Sequence, residues 1–132
     1  MSRIKKIGLI IFVVVVAITA IITYFVVQIN DNLDYLVNME IVDVDLNQVQ
    51  DGTYVGEYAV FPVKVIVEVE VNDHQITDIT IVEHQNGQGT PAEIIVEDVI
   101  LEQSLQVDSI AGATYSSKVI LLAIRDALLK AI

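Results

Sequence analysis

The chain has 132 residues, 54% of them hydrophobic, and a formal net charge of −11. All 18 acidic residues follow position 30, where only 4 basic residues accompany them, so residues 31–132 carry a net charge of −14. So acidic a segment repels phosphate, which excludes a nucleic-acid binder, and the absence of cysteine excludes a disulfide scaffold or a cysteine zinc site. At about 100–200 residues per domain, the chain has room for one globular unit.

An apolar run lies near the start of the chain, where residues 7–27 contain no charged side chain. As a helix this run would span ~32 Å, which matches a bilayer hydrocarbon core of about 30 Å. A cleaved signal peptide is the alternative, but its apolar region has roughly 7–15 residues. A buried core helix would normally show a polar stripe. The pattern therefore predicts a cytoplasmic tail over residues 1–6 and a transmembrane helix over 7–27.

The charges on either side of the run predict its orientation. Three basic residues directly precede it, whereas Asp31 and Asp34 follow it. The positive-inside bias then keeps the N-terminus in the cytoplasm and exports the remainder, as a single-pass protein of the cell membrane. Residues 28–50 are rich in Asn, Asp and Gln, and we interpret them as a stalk.

Three strands are predicted next, opened by the turn pair at residues 51–52. The first covers Thr53–Val60 and the second Lys64–Val71, in which the valines at 65, 67, 69 and 71 share one face. A turn at 72–74 leads to the third strand, Ile76–Glu83. The short turn favours an antiparallel hairpin.

Helical spacing replaces this alternation after position 90. Thr90, Pro91 and Glu93 form a capping-box pattern that predicts a helix from Pro91 to about Gln103. After a short extended segment and a tight connection, Ser116 or Ser117 is expected to cap a final helix. The apolar side chains of this helix are expected to form one stripe: Ile120, Ala123, Ile124, Ala127, Leu128 and Ala131. We predict the class α+β: a small antiparallel sheet with two helices over residues 51–132, preceded by one N-terminal transmembrane helix.

The segment 108–117 is the candidate functional site. It places a glycine-containing turn directly before a helix, whose N-terminal N–H groups attract phosphate. Gly112 would allow close approach of a ligand and Ala113 would leave space for it, so that Thr114 presents a hydroxyl where a phosphate is favoured. Taken alone, the same residues are also compatible with simple helix capping.

Asp108 and the sequence Gly112-Ala113-Thr114 resemble the flavinylation motif of the FMN-binding domain family: Asp, two variable residues, Ser or Thr, then Gly-Ala-Thr. The resemblance implies that FMN is joined to Thr114 by a phosphoester bond, which a flavin transferase makes by taking the FMN moiety from FAD. It implies that Asp108 serves recognition or transfer. Ala111 departs from the motif, because Ser or Thr is usual there, and this departure is expected to weaken flavin transfer.

The resemblance extends from about residue 51 to residue 132, including the opening strand, the hairpin and a glycine-rich loop at 83–89. It implies further cofactor-binding residues beside the attachment threonine and in that loop. They are Tyr115, Ser116 and Ser117 in the first group and His84, Gly87 and Gly89 in the second.

The family resemblance also implies a function. Its members occur in exported subunits of sodium-pumping NADH:quinone oxidoreductases and Rnf-type complexes, and as small membrane-anchored carriers. We therefore expect an electron relay between a membrane redox complex, or a quinone-linked donor, and an extracytoplasmic acceptor, with no enzyme class assigned. Two alternatives stay open: a noncovalent flavin or phospho-ligand module, and a cofactor-free structural or regulatory domain.

The remaining candidate side chains receive ordinary interpretations. No nucleophile–base–orienter set and no histidine-based metal spacing is evident, and His74 is expected to be solvated in its turn. Tyr54, Tyr58 and Phe61 are expected to pack in the core, whereas Tyr115 is the best candidate to stack on a flavin ring. The acidic surface is compatible with solubility or with docking of a basic redox partner.

Overall fold

The computed structural model describes residues 1–85 and 90–132, and its contacts divide the chain into two compact units, Met1–Asn32 and Leu33–Ile132. The first unit is the greater part of helix α1, Arg3–Asn38. This helix is long and apolar enough to cross a membrane, with a mean hydropathy of 3.0 in its most apolar window. The hydroxyls of Thr19 and Thr23 donate to the carbonyls of Val15 and Thr19 at 2.8 and 2.9 Å. Such bonds satisfy polar groups within the helix, as a hydrocarbon environment requires.

The segment 28–50 differs from the stalk interpretation. Helix α1 continues to Asn38, and a short 3-10 helix follows at Leu46–Gln48. Leu36, Ile41 and Val49 are buried in the core of the second unit. The apolar residues scattered among polar ones are therefore packing positions, which local composition does not reveal.

Asp43 links this segment to Ser104 and Leu105, which lie much later in the chain. Its carboxylate accepts hydrogen bonds from the hydroxyl of Ser104 and, at 3.1 Å, from the N–H of Leu105. Burial raises the pKa of Asp43, but these bonds and one from the N–H of Val44 outweigh it, so the pKa lies below the usual 3.8.

The sheet has three antiparallel strands in the order β1-β2-β3, with β1 at Gly52–Val60, β2 at Val63–Asn72 and β3 at Gln75–Gln85. The predicted valine face of β2 is confirmed, because all four valines are buried. The opposite face of the same strand exposes Glu68 and Glu70. One face of the sheet therefore carries the core and the other is polar.

Strand β3 contains two bulges, which change which of its side chains face the core. The pairing with β2 skips Thr77 and Val82, so that Ile81 lies opposite Val67 and His84 lies opposite Val65. Without the second bulge, at Val82, Glu83 would lie opposite Val65 in the position that His84 occupies. The second bulge thus keeps the glutamate out and directs the histidine inwards.

Two helices complete the second unit. A 3-10 turn at Thr90–Ile94 continues into α2, Ile95–Glu102, which packs on β3. The last helix, α3 at Thr114–Leu129, packs on β1 and β2. Its predicted apolar stripe is confirmed as buried: Ile120, Ala123, Ile124, Ala127, Leu128 and Ala131. The structure is the α+β arrangement that the sequence predicts, with an N-terminal apolar helix.

The start of α3 differs from the prediction. The helix begins at Thr114, and Ala113 occupies the N-cap position without a side-chain cap. Ser116 and Ser117 lie inside the first turn and are buried, so neither is the N-cap. Their hydroxyls are instead used in contacts towards the core and the preceding turn.

Candidate functional site

Three parts of the fold meet at one end of the sheet: the β1–β2 turn, the end of β3 and the start of α3. The turn contains Phe61 and Pro62, joined by a cis peptide bond. The hydroxyl of Tyr115 donates to the carbonyl oxygen of Phe61, which ties the first turn of α3 to the sheet. The matched register of β2 and β3 places His84 at the same end, two residues beyond Val63 along β2.

The turn before α3 is built around Gly112. Its φ of +76° lies in the left-handed region, and a Cβ at this position would meet no atom of the described residues within 4 Å. Glycine is therefore favoured here by backbone conformation, and no described residue fills the space beside it. The N–H of Ala113 closes the turn on the carbonyl of Ile110 at 2.9 Å.

Ser117 braces this turn from the inside. Its hydroxyl accepts a hydrogen bond from the N–H of Ile110 at 3.0 Å and donates to the carbonyl of Ala113 at 2.7 Å. The side chain is fully buried. Ser117 thus holds the shape of the predicted motif and is not placed to contact a ligand.

Thr114 is the first residue of α3 and is partly exposed. Among the described residues no side chain caps this helix, so its N-terminal end offers backbone N–H groups and the positive end of its dipole beside the turn at Gly112. A phosphate group matches both features. Thr114 therefore lies at the helix end that a phosphate group would favour.

The structure brings His84, Glu93 and Ser116 together in an arrangement that the sequence did not predict. His84 Nδ1 lies 3.0 Å from Glu93 Oε1, and His84 Nε2 lies 3.0 Å from Ser116 Oγ. The imidazole is 2% exposed, whereas the Glu93 side chain is 40% exposed. Glu93 was expected to serve a capping box, yet its carboxylate lies against the imidazole. The only sequence signal was a histidine shortly before a capping-box glutamate.

Other predicted site residues lie on the exposed surface or outside the described residues. Asp108 is exposed and lines an acidic cleft with Asp98 and Glu102 of α2, and Ala111 is exposed on the turn. The predicted loop residues Gly87 and Gly89 lie outside the residues that the structure describes. Within residues 1–85 and 90–132, no group of three His, Asp or Glu side chains is arranged to hold a metal ion.

The structure confirms the predicted core position for two aromatic residues but not for a third. Tyr54 and Tyr58 pack against the core as expected, and burial together with the neighbouring Tyr35 raises the pKa of Tyr58. Phe61 was expected in the core but is 53% exposed, because it lies in the β1–β2 turn. Tyr115 is partly buried against the core. Phe61 therefore joins Tyr115 as a surface on which an aromatic ring could stack.

His74 lies in the β2–β3 turn and is exposed, as predicted for a solvated residue. Its Nδ1 nevertheless lies 3.2 Å from the carbonyl oxygens of Leu46 and Val49. The residue thus links the turn to the short 3-10 helix, at the opposite end of the sheet from Thr114.

Comparison with known families identifies the domain. The model of the FMN-binding domain matches residues 61–129, which are more than half of the chain and include the turn, His84 and the start of α3. The chain therefore belongs to the FMN-binding domain family. No curated protein matches the chain. The N-terminal end of α3 and the turn at Gly112 fit the phosphate of FMN. The exposed Phe61 fits its ring.

Proposed function

We propose that this protein is a membrane-anchored flavoprotein that carries FMN covalently on Thr114. A flavin transferase would supply the group from FAD: the Thr114 oxygen forms a bond to the FMN phosphorus, the pyrophosphate P–O bond breaks, and AMP leaves while the hydroxyl proton is lost. Bound FMN supplies the redox chemistry, and the protein supplies attachment and orientation. The observation that carries the proposal is the partly exposed Thr114 at an uncapped helix N-terminus beside an open turn, within the matched family region.

The residues around Thr114 have distinct roles in this proposal. The N-terminal end of α3 stabilises the negative charge that the phosphodiester retains. Gly112 gives the phosphate access, because no atom of the described residues lies within 4 Å of where its Cβ would stand. Phe61 and Tyr115 provide aromatic surface for the ring, and Asp108 is left free on the surface for recognition by the transferase.

We further propose that the carrier works outside the cytoplasm. The N-terminal helix would anchor it, and the positive flank would retain the N-terminus inside. A covalent bond suits such a location, since a dissociated flavin would diffuse away. The protein would then relay electrons between a membrane oxidoreductase, or a quinone-linked donor, and an extracytoplasmic acceptor.

Fluorescence of the full chain on a denaturing gel, after co-expression with a flavin transferase, tests the covalent bond. The wild type and Thr114→Ser should give a fluorescent band, because both retain a hydroxyl, and the isosteric Thr114→Val should give none. Thr53→Val, at an exposed position of β1, is the matched control and should remain fluorescent.

The same experiment separates the alternatives. Flavin that co-purifies but is released by denaturation would indicate a noncovalent module, which the hydroxyl-free Ala111 would favour. A wild type without any flavin, despite active transferase, would indicate a cofactor-free domain. Either result would contradict the covalent proposal.

A further inference from the structure

The hydrogen-bonded chain Glu93–His84–Ser116 joins three separate elements of the fold. His84 belongs to β3, Glu93 to the 3-10 turn before α2, and Ser116 to the first turn of α3. Both ring nitrogens of the buried imidazole lie at 3.0 Å from their partners. These hydrogen bonds therefore link the start of α3 to β3 and to the 3-10 turn before α2.

The chemical groups of the three side chains determine which atom donates each of the two hydrogen bonds. A carboxylate only accepts hydrogen bonds, so the Nδ1–H of His84 donates to Glu93. In neutral histidine the other nitrogen is then an acceptor, so the Ser116 hydroxyl donates to Nε2. The connectivity is that of a serine–histidine–acid set, yet Ser116 is only 2% exposed. A substrate cannot reach that hydroxyl, and its role lies in what it holds.

Ser116 and Thr114 lie on opposite sides of the same helical turn. At 3.6 residues per turn, two residues are separated by about 200° around the helix axis. Ser116 consequently points into the protein while Thr114 is partly exposed. Since no side chain in residues 1–85 and 90–132 caps α3, inward contacts of its first turn set the direction in which Thr114 points.

We propose that His84 is a positioning residue for flavin attachment. Through Ser116 it fixes the rotation of the first turn of α3, so that the Thr114 oxygen faces the phosphorus of FAD in the transferase complex. Glu93 fixes the tautomer and orientation of the imidazole. His84 takes no proton and touches no reacting atom. The inference rests on the proposed attachment of FMN to Thr114.

The test is the rate of FMN transfer from FAD to the full chain in detergent, with purified flavin transferase and the carrier as the varied substrate. Ser116→Ala and His84→Phe should each lower kcat at least about tenfold and leave the KM for the carrier within about twofold. Glu93→Gln retains an oxygen acceptor for Nδ1–H and should keep most of kcat, whereas Glu93→Leu should lose it. The double variant that combines Ser116→Ala with His84→Phe should be no slower than the slower of these two single variants. The reason is that both substitutions remove the same hydrogen bond, between Ser116 and His84.

A variant in the core distinguishes a positioning role of His84 from a general effect of stability on kcat. Ile124→Val, at a buried position of α3, should lower the melting temperature with unchanged kcat. The inference is overturned if Ser116→Ala transfers within twofold of the wild type, or if Ile124→Val loses as much kcat as Ser116→Ala. If His84→Phe fails to fold, Ser116→Ala and the two Glu93 variants decide. A wild type that accepts no FMN would overturn the proposed function and this inference with it.

Discussion

Gly56 of β1 lies directly against the backbone of Ala123 in α3. A Cβ at position 56 would stand 2.0 Å from the Ala123 carbonyl oxygen and 2.5 Å from the N–H nitrogen of Ala127. Strand and helix therefore approach so closely that only glycine fits between them. Because α3 begins with Thr114, this contact also fixes the position of the helix that carries the site.

Replacing this glycine should destabilise the second unit. Gly56→Ala places a methyl group against backbone atoms that cannot rotate away, so we expect a loss of about 3 kcal/mol in unfolding free energy. Circular dichroism during thermal unfolding in detergent would measure it. Gly8→Ala is the matched control, because nothing lies within 4 Å of that position. Equal melting temperatures for Gly56→Ala and the wild type would contradict the close contact.

Restoring the missing hydroxyl of the motif should accelerate flavin attachment. Ala111 is exposed, so Ala111→Ser can be accommodated at little cost in stability. One added hydrogen bond to a charged phosphate is worth ~1.4 kcal/mol, which corresponds to about a tenfold higher transfer rate. The appearance of in-gel fluorescence with time would measure the rate, with the exposed Ala59→Ser as control. A rate no higher than that of the wild type would show that the hydroxyl at 111 contributes nothing.

Acid should weaken the attachment of the segment after α1. The pKa of Asp43 is lower in the folded state than in the unfolded chain, so the carboxylate adds stability above the unfolded value near 3.8. That contribution is lost as the pH falls through the lower folded pKa. Asp43→Asn should therefore be less stable than the wild type at pH 7, and the difference should narrow below about pH 4.

Thermal unfolding of both proteins between pH 7 and pH 3 would measure this narrowing. Glu68→Gln, on the exposed face of β2, controls for the change in net charge. A difference between Asp43→Asn and the wild type that stays constant over this range would contradict the assignment.

The basic flank should determine the orientation of the anchor. A phosphatase reporter that is active only outside the cytoplasm, fused after Ile132, should be active in the wild type. Replacing Arg3, Lys5 and Lys6 with glutamine should reduce that activity, since the positive-inside bias is removed. Glutamine at Lys64, Lys118 and Arg125 is the matched control and should leave it unchanged. Cytoplasmic activity of the wild-type fusion would contradict the proposed location.

The helices, strands and turns were predicted well, because the sequence pattern that indicates each of them lies within a few neighbouring residues. The alternating valines of β2 identified its buried face, and the apolar spacing of α3 identified its core stripe. The glycine turn before Thr114 was likewise evident from residue types alone. These features depend on backbone periods and conformational preferences that neighbouring residues reveal.

Features that depend on distant contacts could not be predicted in the same way. The bulge at Val82 breaks the alternation of β3, so the sequence did not show that His84 faces the core. Ser116 has the appearance of a helix cap, but its hydroxyl bonds to a residue 32 positions away. Leu36 stands in a polar segment and is nevertheless fully buried. In each case the partner is brought near only by the complete fold.

Intact-protein mass spectrometry of the chain from its native membrane decides whether FMN is bound covalently to Thr114. We expect a mass increased by that of one FMN less one water, with the added mass on the peptide that contains Thr114 after proteolysis. An unmodified mass, from cells in which the flavin transferase is active, would contradict it.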